Sequence, residues 1–266
     1  MAFQINPRLD TAYDNRARVP DHARWFARWA ELSAAARQTP HESAIAYGGH
    51  PRQSLDLFHP QDPKGAPILF LHGGYWQAFD KDAFSFIGAS LAALGHPCAV
   101  ASYRLCPDVR VGDIVADASA ATRLVAERCG APVVVCGHSA GGHLAAMLTA
   151  DAALPVRAGI GLSGLYQLRA LVPTRVNGSL GLDEVEADRL SPAYRTPPDR
   201  PFLALVGGAE SDEYHRQTRL LGESWSFATH IETGTIEAAH HFSILDGLEQ
   251  AGGALAQRIG RFATEA

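Results

Sequence analysis

The chain is poor in several of the signals that mark common protein classes. Four cysteines stand among 266 residues, and no two of them form a C-x-x-C pair. Cys98 and Cys136 fall in apolar, strand-like runs, so buried free thiols and a reducing compartment are expected. There is no run of Lys or Arg and the formal net charge is −5, which argues against nucleic acid or an anionic membrane as partner. No H-E-x-x-H and no Cys/His cluster has metal spacing, so no metal centre is expected. The absence of G-x-G-x-x-G and of a P-loop gives no reason to expect a nucleotide cofactor, and the cofactor expectation is none. No charged start leads into an apolar run and no segment is long enough to span a bilayer. The resulting expectation is a cytoplasmic protein whose partner is a small molecule. Internal repeats and low-complexity segments are missing as well.

What is present is a core. Hydrophobic residues make up 47% of the chain, and its length suits one large α/β domain or two small ones. Residues 1–45 differ from the remainder. They are polar and Arg-rich, with a helical pattern from Asp21 to Arg37 between Pro20 and Pro40. Trp25, Trp29, Leu32 and Ala36 recur on one helical face. That stripe fits packing on the core, and it also fits a cap over a pocket.

From Ser54 onward strands and helices alternate, within one domain expected over residues 46–266. Strands are predicted at Ser54–His59, Pro67–His72, Pro97–Tyr103, Pro132–Gly137, Val156–Leu162, Pro201–Val206 and Phe227–Glu232. Helices are predicted at Lys81–Leu94, Gly112–Arg128, Ser139–Ala150 and Ser211–Glu223, with Ser211 as N-cap, and in a closing segment from Ile244 to Phe262. Such alternation implies a mostly parallel sheet with helices on both faces. Residues 163–200, with Pro173, Pro192, Pro197 and Pro198, break the rhythm and read as an insertion.

The densest signal is Gly137-His138-Ser139-Ala140-Gly141, a G-x-S-x-G placed between a β-branched run and a small-residue helix. A serine on so sharp a strand-to-helix turn needs neighbours without a Cβ. The turn lifts its hydroxyl to the top of a sheet, at a helix N-terminus that favours negative charge. A nucleophilic serine needs a base, an orienting acid and donors for an oxyanion, and each has a candidate at the end of a predicted strand. Gly73 and Gly74, in His72-Gly73-Gly74-Tyr75-Trp76, offer backbone donors, as does Ala140 after the serine. The loop from Gly207 to Glu213 offers three carboxylates. Asp212 and Glu213 are explained as first-turn helix residues, so Glu210 is favoured over Asp212. His240 and His241 follow the last strand, and His241 is favoured because it directly precedes Phe242 and the closing helix. The order Ser, acid, His is that of α/β-hydrolases. Packing explains His138 and His143 adequately, and His72 is placed to brace the Gly-Gly turn. Tyr75, Trp76 and Phe79 lie where an aryl group could stack, though core packing accounts for them about as well.

The His-Gly-Gly-Tyr-Trp turn, the Gly-His-Ser-Ala-Gly-Gly-His elbow, Tyr103-Arg104-Leu105 and His241-Phe242 together resemble the α/β-hydrolase superfamily. More narrowly, they resemble the branch near hormone-sensitive-lipase-like esterases that contains kynurenine formamidase. Tyr13-Asp14-Asn15-Arg16 and the Trp25/Trp29 helix are similar to that branch too. Tyr75 stands where the lipases proper carry a third glycine. Glu210 stands where these families mostly carry Asp. The resemblance implies a cofactor-independent serine hydrolase for a small ester or amide, with an aryl-formamide such as N-formylkynurenine as the most specific expectation. A general short-chain carboxylesterase is the enzymatic alternative. A ligand-binding protein on the same scaffold is the alternative of another class, and it would be marked by a lost nucleophile or base.

Overall fold

A computed structural model describes residues 4–266. Residues 1–3, the start of the expected N-terminal segment, lie outside the described residues. That segment begins with two short helices, α1 (Pro7–Tyr13) and α2 (Asn15–Arg18), followed by α3 (Ala23–Ala36). The first two are too short to show a periodicity, and side-chain caps define them instead. Asn6 accepts the N–H groups of Arg8 and Leu9 with Pro7 in the first turn, and Asp14 accepts from Ala17 at the start of α2. α3 buries Trp25, Trp29, Ser33 and Ala36 on one face.

Eight strands follow: β1 (His41–Ala46), β2 (Ser54–Phe58), β3 (Ile68–Leu71), β4 (Cys98–Ala101), β5 (Val133–His138), β6 (Val156–Leu162), β7 (Phe202–Gly207) and β8 (Ile231–Ile236). They form one sheet in the order β1-β2-β4-β3-β5-β6-β7-β8. β1 and β2 pair antiparallel to their neighbours, and the other six run parallel. All six parallel carboxyl ends therefore reach the same edge of the sheet.

The helices between them are α4 (Ser85–Ala92), α5 (Val111–Cys129), α6 (Ala140–Thr149), α7 (Asn177–Leu180), α8 (Glu184–Arg189), α9 (Asp212–Trp225) and α10 (Ala254–Glu265). The period-2 geometry of the strands divides the core in two. Leu69, Leu71, Val133 and Val135 pack with Ile114, Ala118 and Val125 of α5 and Leu144 and Leu148 of α6. Ile68, Phe70, Val134 and Cys136 face the other way, toward Trp29 of α3, Ile87 and Leu91 of α4, and Ile259 of α10. The arrangement is the α/β-hydrolase fold.

Several elements depart from the sequence expectation. β1 was not foreseen, because an edge strand with one half-exposed face carries too few apolar residues. β8 starts four residues later than expected; Phe227 is 74% exposed in the turn after α9. The helix expected over Lys81–Leu94 is a 3-10 turn at Lys81–Ala83 followed by α4. The closing helix is split into a 3-10 stretch, Ser243–Leu248, and α10, with Gly252 and Gly253 between them. Residues 163–200 hold α7, α8 and two 3-10 turns. Among the described residues no helix is long and apolar enough to cross a membrane.

Candidate active site

Ser139 joins β5 to α6 with φ 57° and ψ −116°, a conformation rarely tolerated by a residue with a Cβ. Its neighbours make the turn possible. A Cβ on Gly141 would lie 1.9 Å from the Leu71 carbonyl oxygen, and one on Gly137 would lie 2.1 Å from the Gly141 oxygen. The elbow is thus wedged directly against the end of β3. There the chain makes a second tight turn, with φ 104° at Gly74 and positive φ at Tyr75, Trp76 and Phe79. His72 braces it: Nδ1 donates to the Gly73 carbonyl at 2.8 Å, and the ring stacks between Phe84 and Tyr103. Burial lowers the His72 pKa to about 3, so the ring is neutral.

The backbone N–H groups of Gly73, Gly74 and Ala140 donate to no carbonyl oxygen among the described residues. Ala140 opens α6, where the helix dipole adds partial positive charge. Gly73 and Gly74 share a cavity wall with Ser139 and His241.

His241 Nε2 is 3.0 Å from Ser139 Oγ, and His241 Nδ1 is 2.7 Å from Glu210 Oε2. All three residues are buried. The other carboxylate oxygen of Glu210 accepts from the Gly207 N–H at 2.8 Å and from the Ser163 hydroxyl. The longer arm of a glutamate is accommodated by this fold-back toward the end of its own strand β7. His138, next to the serine, donates from Nε2 to the His241 carbonyl oxygen at 2.8 Å and so holds the backbone of that loop. Burial and the nearby His241 ring push the His138 pKa well below its ordinary value.

The competing candidates have other places. Asp212 is exposed at the start of α9, and Glu213 accepts from Tyr13 Oη at 3.0 Å and pairs with Arg216. His240 accepts from the N–H groups of Phe242 and Ser243 and packs edge-on against Trp25. His143 donates to the Leu190 carbonyl oxygen from within the core. Ser211 occupies the N-cap of α9 but makes no capping hydrogen bond.

A cavity of about 510 Å³ opens over Ser139 and His241. Phe26, Trp29, Phe79, Phe84 and Phe242 form an aromatic side of it, in edge-to-face and tilted contact with one another. Asp10, Asp14, Arg16 and Arg175 stand on a polar side. Tyr75 and Phe79 line this cavity, but Trp76 does not. Trp76 is wholly buried, edge-on to His143 in the core, because the positive φ at positions 75 and 76 turns consecutive side chains in opposite directions. The expectation that Trp76 faces a substrate is therefore corrected. In the N-terminal segment, Trp29 and Phe26 reach the cavity while Trp25 binds Asp246 outside it. Ser163, Tyr214 and Asn15 were missed in the sequence. Ser163 follows β6 at φ 52°, a strand-end position that could have drawn attention. Asn15 lies in the Tyr13-Asp14-Asn15-Arg16 segment that carries the resemblance, which assigns it no role, and Tyr214 carries no local motif. Among the described residues no group of three or more His, Cys, Asp or Glu side chains could hold a metal ion.

Comparison with known proteins agrees with the geometry. A family model for the alpha/beta hydrolase fold matches residues 68–175. A solved structure from Silicibacter sp. TM1040, described provisionally as a thioesterase, superposes with a TM-score of 0.86 at 32% identity, covering 98% of this chain and 100% of the other. The chain belongs to the α/β-hydrolase superfamily and is a hydrolase. Within that superfamily its similarity runs to the kynurenine-formamidase-like esterases. The kynurenine formamidase of Danio rerio is 29% identical over 229 residues, which cover 77% of this chain and 75% of that protein. Esterase LipC of Mycobacterium tuberculosis is 30% identical over 250 residues, covering 79% of this chain and 62% of the esterase.

Proposed function

We propose that the chain is a serine hydrolase that transfers a small acyl group through Ser139, with an aryl-formamide of the N-formylkynurenine kind as its preferred substrate. The observation that carries this reading is the continuous Ser139–His241–Glu210 hydrogen-bond line beneath an aromatic-walled cavity. His241 Nε2 accepts the Ser139 proton as Oγ bonds to the substrate carbonyl carbon. The carbonyl oxygen becomes an oxyanion and is met by the free N–H groups of Gly73, Gly74 and Ala140, each worth about 3–4 kcal/mol in the transition state. Glu210 keeps His241 in the tautomer with its proton on Nδ1 and balances the imidazolium charge. His241 then gives the proton to the leaving amine or alkoxide, the scissile bond breaks and an acyl-Ser139 remains. A water molecule, deprotonated by His241, repeats the sequence and releases the acid.

A narrow acyl side is part of this reading. Tyr75 lines the cavity together with Ser139, where the lipases proper carry a third glycine, and its hydroxyl is fixed by a hydrogen bond to the Tyr13 carbonyl oxygen at 2.7 Å. The aromatic side of the cavity suits a flat leaving group. A comparison of kcat/KM for N-formylkynurenine with that for p-nitrophenyl esters of rising chain length tests this. Formyl and acetyl should exceed butyryl by about ten-fold or more, since a misfit methylene costs roughly 1–3 kcal/mol. A rate that stays flat or rises from acetyl to octanoyl, with no formamide cleavage, refutes the formamidase reading. Such a result favours a general short-chain carboxylesterase, a reading supported by the similarity to esterase LipC. The working place of the enzyme is proposed to be the cytoplasm, in keeping with four unpaired cysteines, three of them buried.

A further inference from the structure

Beside His241 lies a cluster of polar side chains, Asn15, Tyr75 and Tyr214, that the mechanism above does not use. Tyr214 is the third residue of α9, on the same buried face as Gln217, Thr218, Leu221 and Trp225. That periodicity turns its side chain inward, beside His241, with the two ring centres 4.6 Å apart. The Tyr214 hydroxyl is 2.8 Å from the Tyr75 hydroxyl and accepts from Asn15 Nδ2 at 2.8 Å. It makes no direct hydrogen bond to Ser139 at rest, but the Tyr214 ring lies against His241, whose Nε2 is 3.0 Å from Ser139 Oγ. Asn15 Nδ2 reaches the Tyr75 hydroxyl as well, at 3.4 Å.

Counting protons fixes the direction of these bonds. The one proton of Tyr75 goes to the Tyr13 carbonyl oxygen, at 2.7 Å. Both Asn15 contacts are donated by the amide, which has two N–H groups to give. The proton between the two phenols must then come from Tyr214. The Ser139 hydroxyl gives its own proton to His241, so Oγ can only accept from other neighbours. The Tyr214 proton thus goes to Tyr75 Oη at rest, and beside His241 the acceptor on which the mechanism builds charge is Ser139 Oγ. Burial raises the Tyr214 phenol well above its ordinary value, so it does not ionise and remains a donor.

We propose that Tyr214 is a hydrogen-bond donor to Ser139 Oγ whenever that oxygen gains negative charge, and that Asn15 and Tyr75 are positioning residues that hold its hydroxyl there. This inference rests on Ser139 being the nucleophile. Oγ gains charge twice, when it loses its proton to attack and when it leaves the acyl group during deacylation. In the resting enzyme the proton rests on Tyr75 Oη, a neutral oxygen that already accepts from Asn15. A charged Oγ is the stronger acceptor and draws it over. The N-terminal segment therefore belongs to the chemistry as well as to the cavity wall, because Asn15 accepts nothing from Tyr214 and so leaves its proton free to turn.

Steady-state turnover of p-nitrophenyl acetate and the rate of inactivation by a small p-nitrophenyl phosphonate test this in the full chain. Tyr214→Phe removes only the hydroxyl. It should lower both kcat and the phosphonylation rate by roughly 10- to 100-fold, the worth of one hydrogen bond to a charged group, with KM little changed. Asn15→Asp places a carboxylate that claims the Tyr214 proton, so it should give a loss of similar size. The double variant should lose no more than either single one. Phosphonylation of Tyr214→Phe at the parental rate overturns the inference, and so does full additivity of the two substitutions. If the phosphonate fails to label Ser139 in the parent, the hydrolase reading falls and this one falls with it.

Discussion

The turns at the carboxyl edge of the sheet and the helices α1 to α3 enclose the same cavity, yet they are held in place by different means. The turns are fixed by their own backbone. Gly141 touches the end of β3 without room for a Cβ, Gly74 and Ser139 adopt positive φ, and His72 ties the Gly73 carbonyl down. The helices are fixed by side chains that reach distant segments. Tyr13 meets Tyr75, Glu213 and Gln217; Trp25 meets Asp246; Asp10 meets Arg175. In the proposed mechanism, chemistry that needs sub-ångström placement falls to the first region, and selection of a ligand falls to the cavity wall of the second. Substitutions in the turns should therefore change kcat, and substitutions of the cover's aromatic side chains should change KM, with Asn15 of α2 as the one cover residue tied to the chemistry.

The largest expected effect breaks the first region at its centre. Ser139→Ala should lower kcat on the order of 10⁶-fold while leaving the fold intact by circular dichroism. His241→Ala should come close to it, whereas His240→Ala should keep most activity, since His240 caps a 3-10 turn and packs on Trp25 without a hydrogen bond to Ser139. Equal losses at positions 240 and 241 would contradict the geometry.

Glu210→Gln should cost about 10³- to 10⁴-fold in kcat, by removing the charge that fixes the His241 tautomer. Asp212→Asn, on an exposed residue only two positions away, should be nearly silent. The reverse outcome would move the acid to Asp212.

Acid should act on the turns and on α6 behind them. Burial holds His72 near a pKa of about 3 and His143 near about 4, and depresses His138 as well. In the unfolded chain each takes up a proton below about pH 6.5, whereas in the folded protein each stays neutral. Their stabilising effect is complete above pH 6.5 and is lost progressively as the pH falls toward the folded values. Each group should shift the folding equilibrium by about ten-fold per pH unit in that window. Urea unfolding between pH 7 and pH 5 measures this, and His143→Gln should make the slope shallower. An unchanged slope would mean that His143 is charged in the folded state.

The smallest effect sharpens the second region. Phe26 lies on α3, half-buried, and forms edge-to-face pairs with Phe79 and Phe242 at the cavity. Phe26→Ala should raise KM for an aryl substrate by about ten-fold with kcat nearly unchanged, as expected for the loss of uniform binding. A fall in kcat with KM unchanged would mean that the cover and the turns are not separable in this way.

The sequence by itself determined what depends on neighbouring residues. The β-branched runs read as parallel strands because both faces of those strands are buried. The elbow at Ser139 and the turn after β3 were legible because their strained backbone demands glycine at fixed spacings. Glu210 and His241 were legible because a parallel sheet delivers every loop after a strand to one edge. Only the tertiary structure decided what depends on contacts between distant segments. It placed Trp76 in the core rather than the cavity, because a reversal of side-chain direction at two residues of positive φ leaves no trace in composition. It shifted β8 and added β1, because an edge strand buries too little apolar surface to show an alternating pattern. It brought Asn15, Tyr75 and Tyr214 together from three separate segments. A hydrogen bond across a sequence separation of 199 residues is set by how the α/β layers pack, and no local pattern of side chains records it.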